Sequence, residues 1–133
     1  FTNASAMALY ADAGTPDQQS RSIAEMAAIL DNCTYGFPSW DPRDEQFESR
    51  RYWRGPIWSV VNYMIGLGLA EKGETALAER LRTDTRKAVE KSGFYEYFDP
   101  LSGEGLGGKL FTWTAAIHLA WAMGDDMLQA EGE

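Results

Sequence analysis

Three observations predict an all-α fold. Apolar residues recur at helical spacing between recognisable start and stop signals. No stretch alternates apolar and polar residues with the period of a strand. The joints between helical stretches are alternately short and long, and the long ones carry the aromatics, the arginines and the carboxylates. Helical hairpins with long functional loops gathered at one end are therefore expected, and no fixed-length self-similarity marks a solenoid.

Residues 1–13 are Ala-rich with Met7, Leu9 and Tyr10 and stop at Gly14, which predicts a short helix capped by Asn3. Thr15-Pro16-Asp17-Gln18 then supplies a capping Thr, a Pro in the first helical position, an acid near the positive end of the dipole and a Gln at the reciprocal capping-box position. With Ile23, Met26, Ala27 and Leu30 at helical spacing, an amphipathic helix is expected from Pro16 to about Leu30. From Asp31 to Arg54 the pattern is lost among Gly36, Pro38, Pro42 and polar residues, and loops of this length are uncommon unless they serve a function.

The loop closes in Tyr52-Trp53-Arg54-Gly55-Pro56-Ile57-Trp58, with Pro56 expected at the first position of the next helix. Trp58, Asn62, Ile65 and Leu69 share one face of it. Asn62 among large apolar residues has two readings, an amide bonded to a neighbouring carbonyl or one facing a ligand. Gly73 ends this helix, and Glu74 to Lys91 begins another that completes a tight hairpin. Leu77, Leu81, Ala88 and Val89 point inward there, while Arg80, Arg82, Arg86 and Lys87 mix with acids on a solvated face. A last helix is expected from about Thr112 to Met123, with Phe111, Trp113, Ala116, Ile117 and Ala120 as its apolar side and His118 as a structural residue. The acidic tail, 125–133, is expected to fray.

Twenty Asp and Glu against 12 Lys and Arg leave a net charge of −8. That balance repels phosphate backbones and anionic lipid, so nucleic acid is not an expected partner. No apolar run is long enough to span a membrane and no signal peptide is visible, so no membrane partner is expected and the cytoplasm is the expected compartment. The single cysteine, Cys33, has no internal disulfide partner, and no Cys/His spacing suits a metal, so neither metal nor cofactor is expected. The chain opens at Phe1 rather than Met, which suggests a piece of a longer protein. Its aromatic share is 13%, with five Trp, and several of these lie beside loop-like segments rather than in helical stripes. Aromatic faces stack on the C–H faces of sugar rings, so a carbohydrate site accounts for the excess, as does extra core volume.

Gly93-Phe94-Tyr95-Glu96-Tyr97-Phe98-Asp99-Pro100 sets a carboxylate among aromatic rings before a turn. Apolar walls penalise its charged form and phenol hydroxyls favour it, so its proton affinity can be tuned as a general base requires. The alternative is a structural Glu bonded to tyrosines or to an Arg. Gly103-Glu104-Gly105-Leu106-Gly107-Gly108-Lys109 imitates a dinucleotide or Walker loop, but a phosphate cradle needs a preceding buried strand and does not welcome Glu104, and Leu110 stands where magnesium needs a hydroxyl. Glycines for sharp turns and close backbone approach are the better reading.

Taken in order, three segments resemble the C-terminal half of glycoside hydrolase family 63 and its relatives, the mannosylglycerate and glucosylglycerate hydrolases and processing α-glucosidases. These are Tyr52 to Trp58 with Asn62-Tyr63, Gly93 to Pro100, and Gly103 to Gly107 with Phe111-Thr112-Trp113-Thr114-Ala115-Ala116. The resemblance implies that residues 1–133 are one partial catalytic domain, about half of an (α/α)6 toroid. It further implies hydrolysis of α-glucosides or α-mannosides with inversion, by an Asp general acid and a Glu general base. Glu96 matches the base. Tyr52, Trp53, Arg54 and Trp58 match the segment lining the sugar pocket, with Asn62 and Trp113 as further candidates, and Arg54 is expected to hold the Glu96 loop or to neutralise a substrate carboxylate.

The family's acid lies well over a hundred residues before the base, farther than this chain extends. Asp12, Asp41, Asp44 and Asp99 do not sit in its motif, and acid catalysis contributes about 10² to 10⁴ in rate, so the chain alone is expected to be a very poor hydrolase. Half a toroid also leaves apolar flanks open, to be covered by the N-terminal half or by self-association. The rival reading is a non-catalytic helical module that binds carbohydrate or protein through its aromatic loops.

Overall fold

The computed structural model describes residues 1–123; the expected fraying of the acidic tail lies outside the described residues. About half of these residues are helical. The elements are α1 (Asn3–Ala6), α2 (Pro16–Leu30), α3 (Ser59–Glu71), α4 (Thr75–Ser92), β1 (Tyr95–Phe98), β2 (Gly105–Lys109) and α5 (Thr112–Ile117), the last running into one turn of π-helix at His118–Ala122.

Helix α2 has the bounds and the cap that its residues dictate. The Gln18 N–H donates to Thr15 Oγ1 (3.3 Å) and the Thr15 N–H to Gln18 Oε1 (2.8 Å), so two backbone donors at the helix start are satisfied reciprocally. The first segment departs from expectation. Only Asn3–Ala6 is helical, Thr2 rather than Asn3 occupies the cap position, and the chain proceeds in turns from Met7.

Helices α3 and α4 pack as the predicted hairpin, reversed at Gly73 (φ 80°), where the Glu74 N–H reaches the Leu69 carbonyl at 2.9 Å. Leu9, Met26, Leu30, Phe37, Ile65, Leu69 and Leu81 form the main core between these helices, α1 and α2. A second, smaller cluster of Ile57, Ala88, Val89 and Phe98 lies beside it. The cations of α4 are more than a solvated face. Arg80 pairs with Asp31 and donates to the Leu30 carbonyl at 2.6 Å, closing the C-terminal end of α2, while Arg82 has only 15% of its side chain exposed and bonds Glu79.

Two expectations are corrected by backbone pairing. The chain is not all-α: β1 and β2 form an antiparallel hairpin, Tyr95 opposite Lys109 and Phe98 opposite Gly105. In addition, α3 starts at Ser59 rather than at Pro56, because Ile57 is drawn into an antiparallel bridge with Phe98, exchanging N–H···O bonds of 2.8 and 3.0 Å. The predicted inner side of the last helix is only partly covered: Phe111 and Ile117 are half-buried, Trp113, Ala116 and Ala120 are exposed, and Thr114 and Ala122 are the buried residues. No helix among the described residues is long and apolar enough to cross a membrane.

Candidate active site

The Ile57–Phe98 bridge sets the geometry of the site. Trp58 follows one of its members and Tyr97 precedes the other, so the end of the long loop lies against β1, and the two rings stack at 4.9 Å and 25°. Trp53 also stacks on Trp58, at 4.1 Å and 5°, and Tyr52 meets Trp53, Trp58 and Tyr97 edge-on at 5.8, 5.1 and 5.4 Å. Trp58 is buried at 4% exposure, and its indole N–H donates to the Tyr52 carbonyl at 3.2 Å. Tyr52 and Trp53 stand 50% and 47% exposed. The result is an aromatic platform, fixed from beneath and open above, of the kind that holds the apolar face of a ring-shaped ligand.

Several polar anchors fix it. Ser39 Oγ accepts the Gly55 N–H at 3.0 Å, and a Cβ at Gly55 would fall 2.2 Å from the Glu48 carbonyl oxygen, so only glycine lets the two backbone passes close here. Tyr52 sits at φ 33°, in the left-handed region that non-glycine residues seldom adopt. A hollow of about 300 Å³ opens beside the platform, lined by Trp40, Arg51, Tyr52, Trp53 and Arg54.

Glu96 lies next to this platform, one residue before Tyr97. Its strand is paired with an irregularity: Tyr95 faces Lys109 but Tyr97 faces Leu106, so β2 carries an extra residue opposite Glu96. Gly107 there has φ 73°, and a Cβ on it would approach Glu96 Oε2 to 2.6 Å. The bulge turns the Gly108 N–H toward the carboxylate, which accepts it at Oε2 (3.1 Å). Among the described residues Glu96 has no ion-pair partner. The neighbouring Tyr97 hydroxyl is pushed above its usual range, first by burial and then by the charges of Glu96 and Tyr52.

The remaining candidates fall elsewhere. Asn62 is buried with its amide fully engaged: Oδ1 accepts the Phe37 N–H (2.8 Å), and Nδ2 donates to the carbonyls of Phe37 (2.9 Å) and Trp58 (3.3 Å). Of its two readings the ligand-facing one is therefore corrected, because no open surface reaches it. Arg54 lies 3.6 Å from Glu48 on its own loop rather than tying that loop to the Glu96 strand. Arg50 ties the loop instead to the turn between β1 and β2, through Nη1 and Nη2 to Glu104, with Nη2 to Oε1 at 3.0 Å. Trp113, 56% exposed, opens α5, which is moored where Thr114 Oγ1 donates to the Tyr95 carbonyl (2.7 Å).

The other carboxylates considered for acid chemistry are occupied locally. The hydrogen bond from Lys72 holds Asp12 below the usual carboxylate range, and that from Arg43 does the same for Asp41. Asp44 accepts the Gln46 N–H at 2.8 Å, and Asp99 closes the turn after β1. Burial pushes the Cys33 thiol up to about 12, so it is inert. Among the described residues no cluster of three or more His, Cys, Asp or Glu could hold a metal.

A model of the mannosylglycerate hydrolase MGH1-like glycoside hydrolase domain matches residues 1–114. The chain belongs to this family. Mannosylglycerate hydrolase MGH1 of Selaginella moellendorffii is 44% identical over 120 residues, 90% of this chain and 25% of that protein. A mannosylglycerate hydrolase of Thermus thermophilus is 43% identical over 122 residues, again 90% of this chain and 29% of that protein. Among solved structures, a family 63 mannosylglycerate hydrolase from Thermus thermophilus in complex with glucose superposes with a TM-score of 0.84 at 40% identity, covering 88% of this chain and 30% of that one. The same protein in complex with Tris and D-glycerate gives a TM-score of 0.82. The chain thus spans about a quarter of the length of the relatives it matches.

Two members of the platform region escape a reading of the family's motifs along the chain. In sequence Tyr97 is only a neighbour of Glu96 rather than a ring of the platform, although a run of aromatics around one Glu is a strand signal. Arg50 looks like one more charge in a polar loop, and only the fold brings it to Glu104 across 54 positions.

Proposed function

We propose that this chain is the C-terminal part of an inverting α-glycosidase, with Glu96 as its general base and Tyr52, Trp53 and Trp58, joined by Tyr97, as the floor of its sugar pocket. The single observation that carries the reading is the Ile57–Phe98 bridge, which sets an open aromatic platform beside the strand that bears Glu96, a carboxylate with no ion-pair partner among the described residues. In such a site the base takes a proton from a water attacking the anomeric carbon, and the acid stands on the other side of the ring, about 6.5 to 9.5 Å away. The Gly108 N–H fixes Oε2 of Glu96 and leaves the carboxylate's remaining lone pairs for that water. Arg54 lines the hollow beside the ring cluster, and Trp113, exposed on α5, is the further candidate for contact with the substrate. The substrate class is an α-mannoside or α-glucoside of a small acid such as glycerate, in line with what the relatives' names record.

The acid belongs to the part of an (α/α)6 toroid that precedes this chain in its relatives, supplied by the same polypeptide or by another, and self-association is the alternative cover for the open edges. The test is hydrolysis of α-mannosylglycerate and α-glucosylglycerate with that part present. Turnover giving the β-anomer by NMR, lowered at least about 10³-fold by Glu96→Gln, is expected. Sugar binding by the chain without any turnover in the completed protein, unchanged by Glu96→Gln, would identify it instead as a non-catalytic binding module.

A further inference from the structure

Among the described residues, the segment 48–54 that carries Tyr52 and Trp53 is joined to the turn after the Glu96 strand by two side-chain polar ties. The earlier part of the same loop is joined to it by the Thr34 and Tyr35 N–H groups on the Pro100 carbonyl. Asp99, the residue after β1, is 5% exposed and engaged on both oxygens. Its Oδ1 accepts the N–H groups of Leu101 (2.9 Å) and Ser102 (3.3 Å), which shapes the turn, and its Oδ2 accepts the hydroxyl of Ser49 (3.1 Å), fifty positions earlier. Arg50, next to Ser49, clasps Glu104 at the far end of the same turn. The turn is itself held to α4: Ser92 Oγ donates to the Gly103 carbonyl (2.8 Å) and accepts the Gly105 N–H (3.1 Å), and Lys91 donates to the Ser102 carbonyl (2.6 Å). The other ion pairs of residues 48–54, Arg51–Glu48 and Arg54–Glu48, stay within the loop.

We infer that Asp99 is a positioning residue: with Ser49, and with Arg50 and Glu104 beside it, it sets the height and tilt of the Tyr52–Trp53 platform relative to Glu96. This rests on the glycosidase reading above for its functional meaning, though not for its structural one. A sugar ring lying on the platform presents its anomeric carbon to the base only if the two are in register, and misplacement of about 1 Å costs about 10²-fold in rate. Since the platform holds the ring in ground and transition states alike, loss of register falls on kcat rather than on KM.

The molecule contains its own gauge of this register. Trp58 is fixed on the β1 side by the Ile57–Phe98 bridge, Trp53 rides on the loop, and the two indoles lie face to face at 4.1 Å, an arrangement in which in-plane rotation between their transition dipoles gives an exciton couplet in circular dichroism. The couplet is defined as the signal lost in Trp53→Phe. The double variant Ser49→Ala/Arg50→Gln removes both ties while leaving the Asp99 turn intact. It is expected to lose most of the couplet with no loss of helical signal, and, with the acid-bearing part present, to lower kcat about 10- to 100-fold with little change in KM. Ser49→Thr, which keeps the hydroxyl, is expected to retain both.

An unchanged couplet in the double variant overturns the coupling, and a lost couplet with unchanged kcat overturns its role in positioning. Retention of turnover in Glu96→Gln would instead refute the general-base assignment and the functional half of this proposal with it. The couplet still decides the structural half.

Discussion

The platform and the α5 end both present large apolar side chains to solvent, but they are built differently beneath. Under Tyr52 and Trp53 lie a buried indole, two backbone hydrogen bonds to β1, the Ser39–Gly55 contact and the three bonds of Asn62. Around α5, Leu110 is 86% exposed, and Trp113 and Leu119 project from a short helix that runs into a π turn and is held to β1 by the Thr114–Tyr95 hydrogen bond. A hydrophobic surface held rigid by buried polar bonds is suited to a small ligand that must be oriented. One carried by a short helix with less buried bonding beneath it is suited to burial against more protein, where the partner supplies the order.

That contrast breaks first at Asn62. Asn62→Ala strands the Phe37 N–H in the core and leaves a void, so a loss of about 3 kcal/mol is expected in urea unfolding, together with a weakened Trp53–Trp58 couplet. A loss below about 1 kcal/mol would mean that the platform's rigidity comes from elsewhere.

His118 sharpens the contrast on the α5 side. Its ring packs edge-on to Phe94 at 5.8 Å, and its Nδ1 is buried without a partner among the described residues. Burial is the main cause that pushes the imidazole below its usual range, and the nearby charge of Glu90 opposes it. The unfolded chain therefore takes up a proton near about pH 6.5, where the folded chain does not. The contribution to stability is intact above that value and is lost as pH falls through the lower folded one. His118→Phe should flatten this dependence when urea midpoints at about pH 8 and about pH 5 are compared. An equal fall with pH in both proteins would clear His118 of the effect.

The smallest effect on stability is expected from Leu110→Ser with Leu119→Ser. Both side chains are largely in water, so the change should stay within about 0.5 kcal/mol each. Sedimentation should nonetheless show less self-association than the parent chain. A parent chain that is already a well-behaved monomer would argue that this end needs no cover.

Much of the helical scaffold is legible in the sequence because its signals are local. Thr15, Pro16 and Gln18 state the start of α2 within four residues, and Gly73 marks the reversal of the α3–α4 hairpin. The hairpin of β1 and β2 is not, since Gly105-Leu106-Gly107-Gly108-Lys109 offers no alternation of side chains and pairs largely through its backbone. The same kind of backbone pairing moves the start of α3 from Pro56 to Ser59. At the site, the rings and Glu96 can be read from motif wording, but Asn62 cannot be placed, because its partners Phe37 and Trp58 both precede it, one of them in a loop 25 positions away. Nor can Arg50 be told from Arg54: both are cations of one loop, and only the position of Glu104 separates them.

Ile57 and Phe98 are joined by main-chain amides and carbonyls and are buried in one core cluster, so the alignment of the two segments is set from beneath the platform. On the glycosidase proposal, amino acids facing the pocket can then be exchanged to suit a different sugar or acid without resetting the frame that carries them. Shared scaffolding with a replaceable lining is a simple way for one lineage to serve several related substrates.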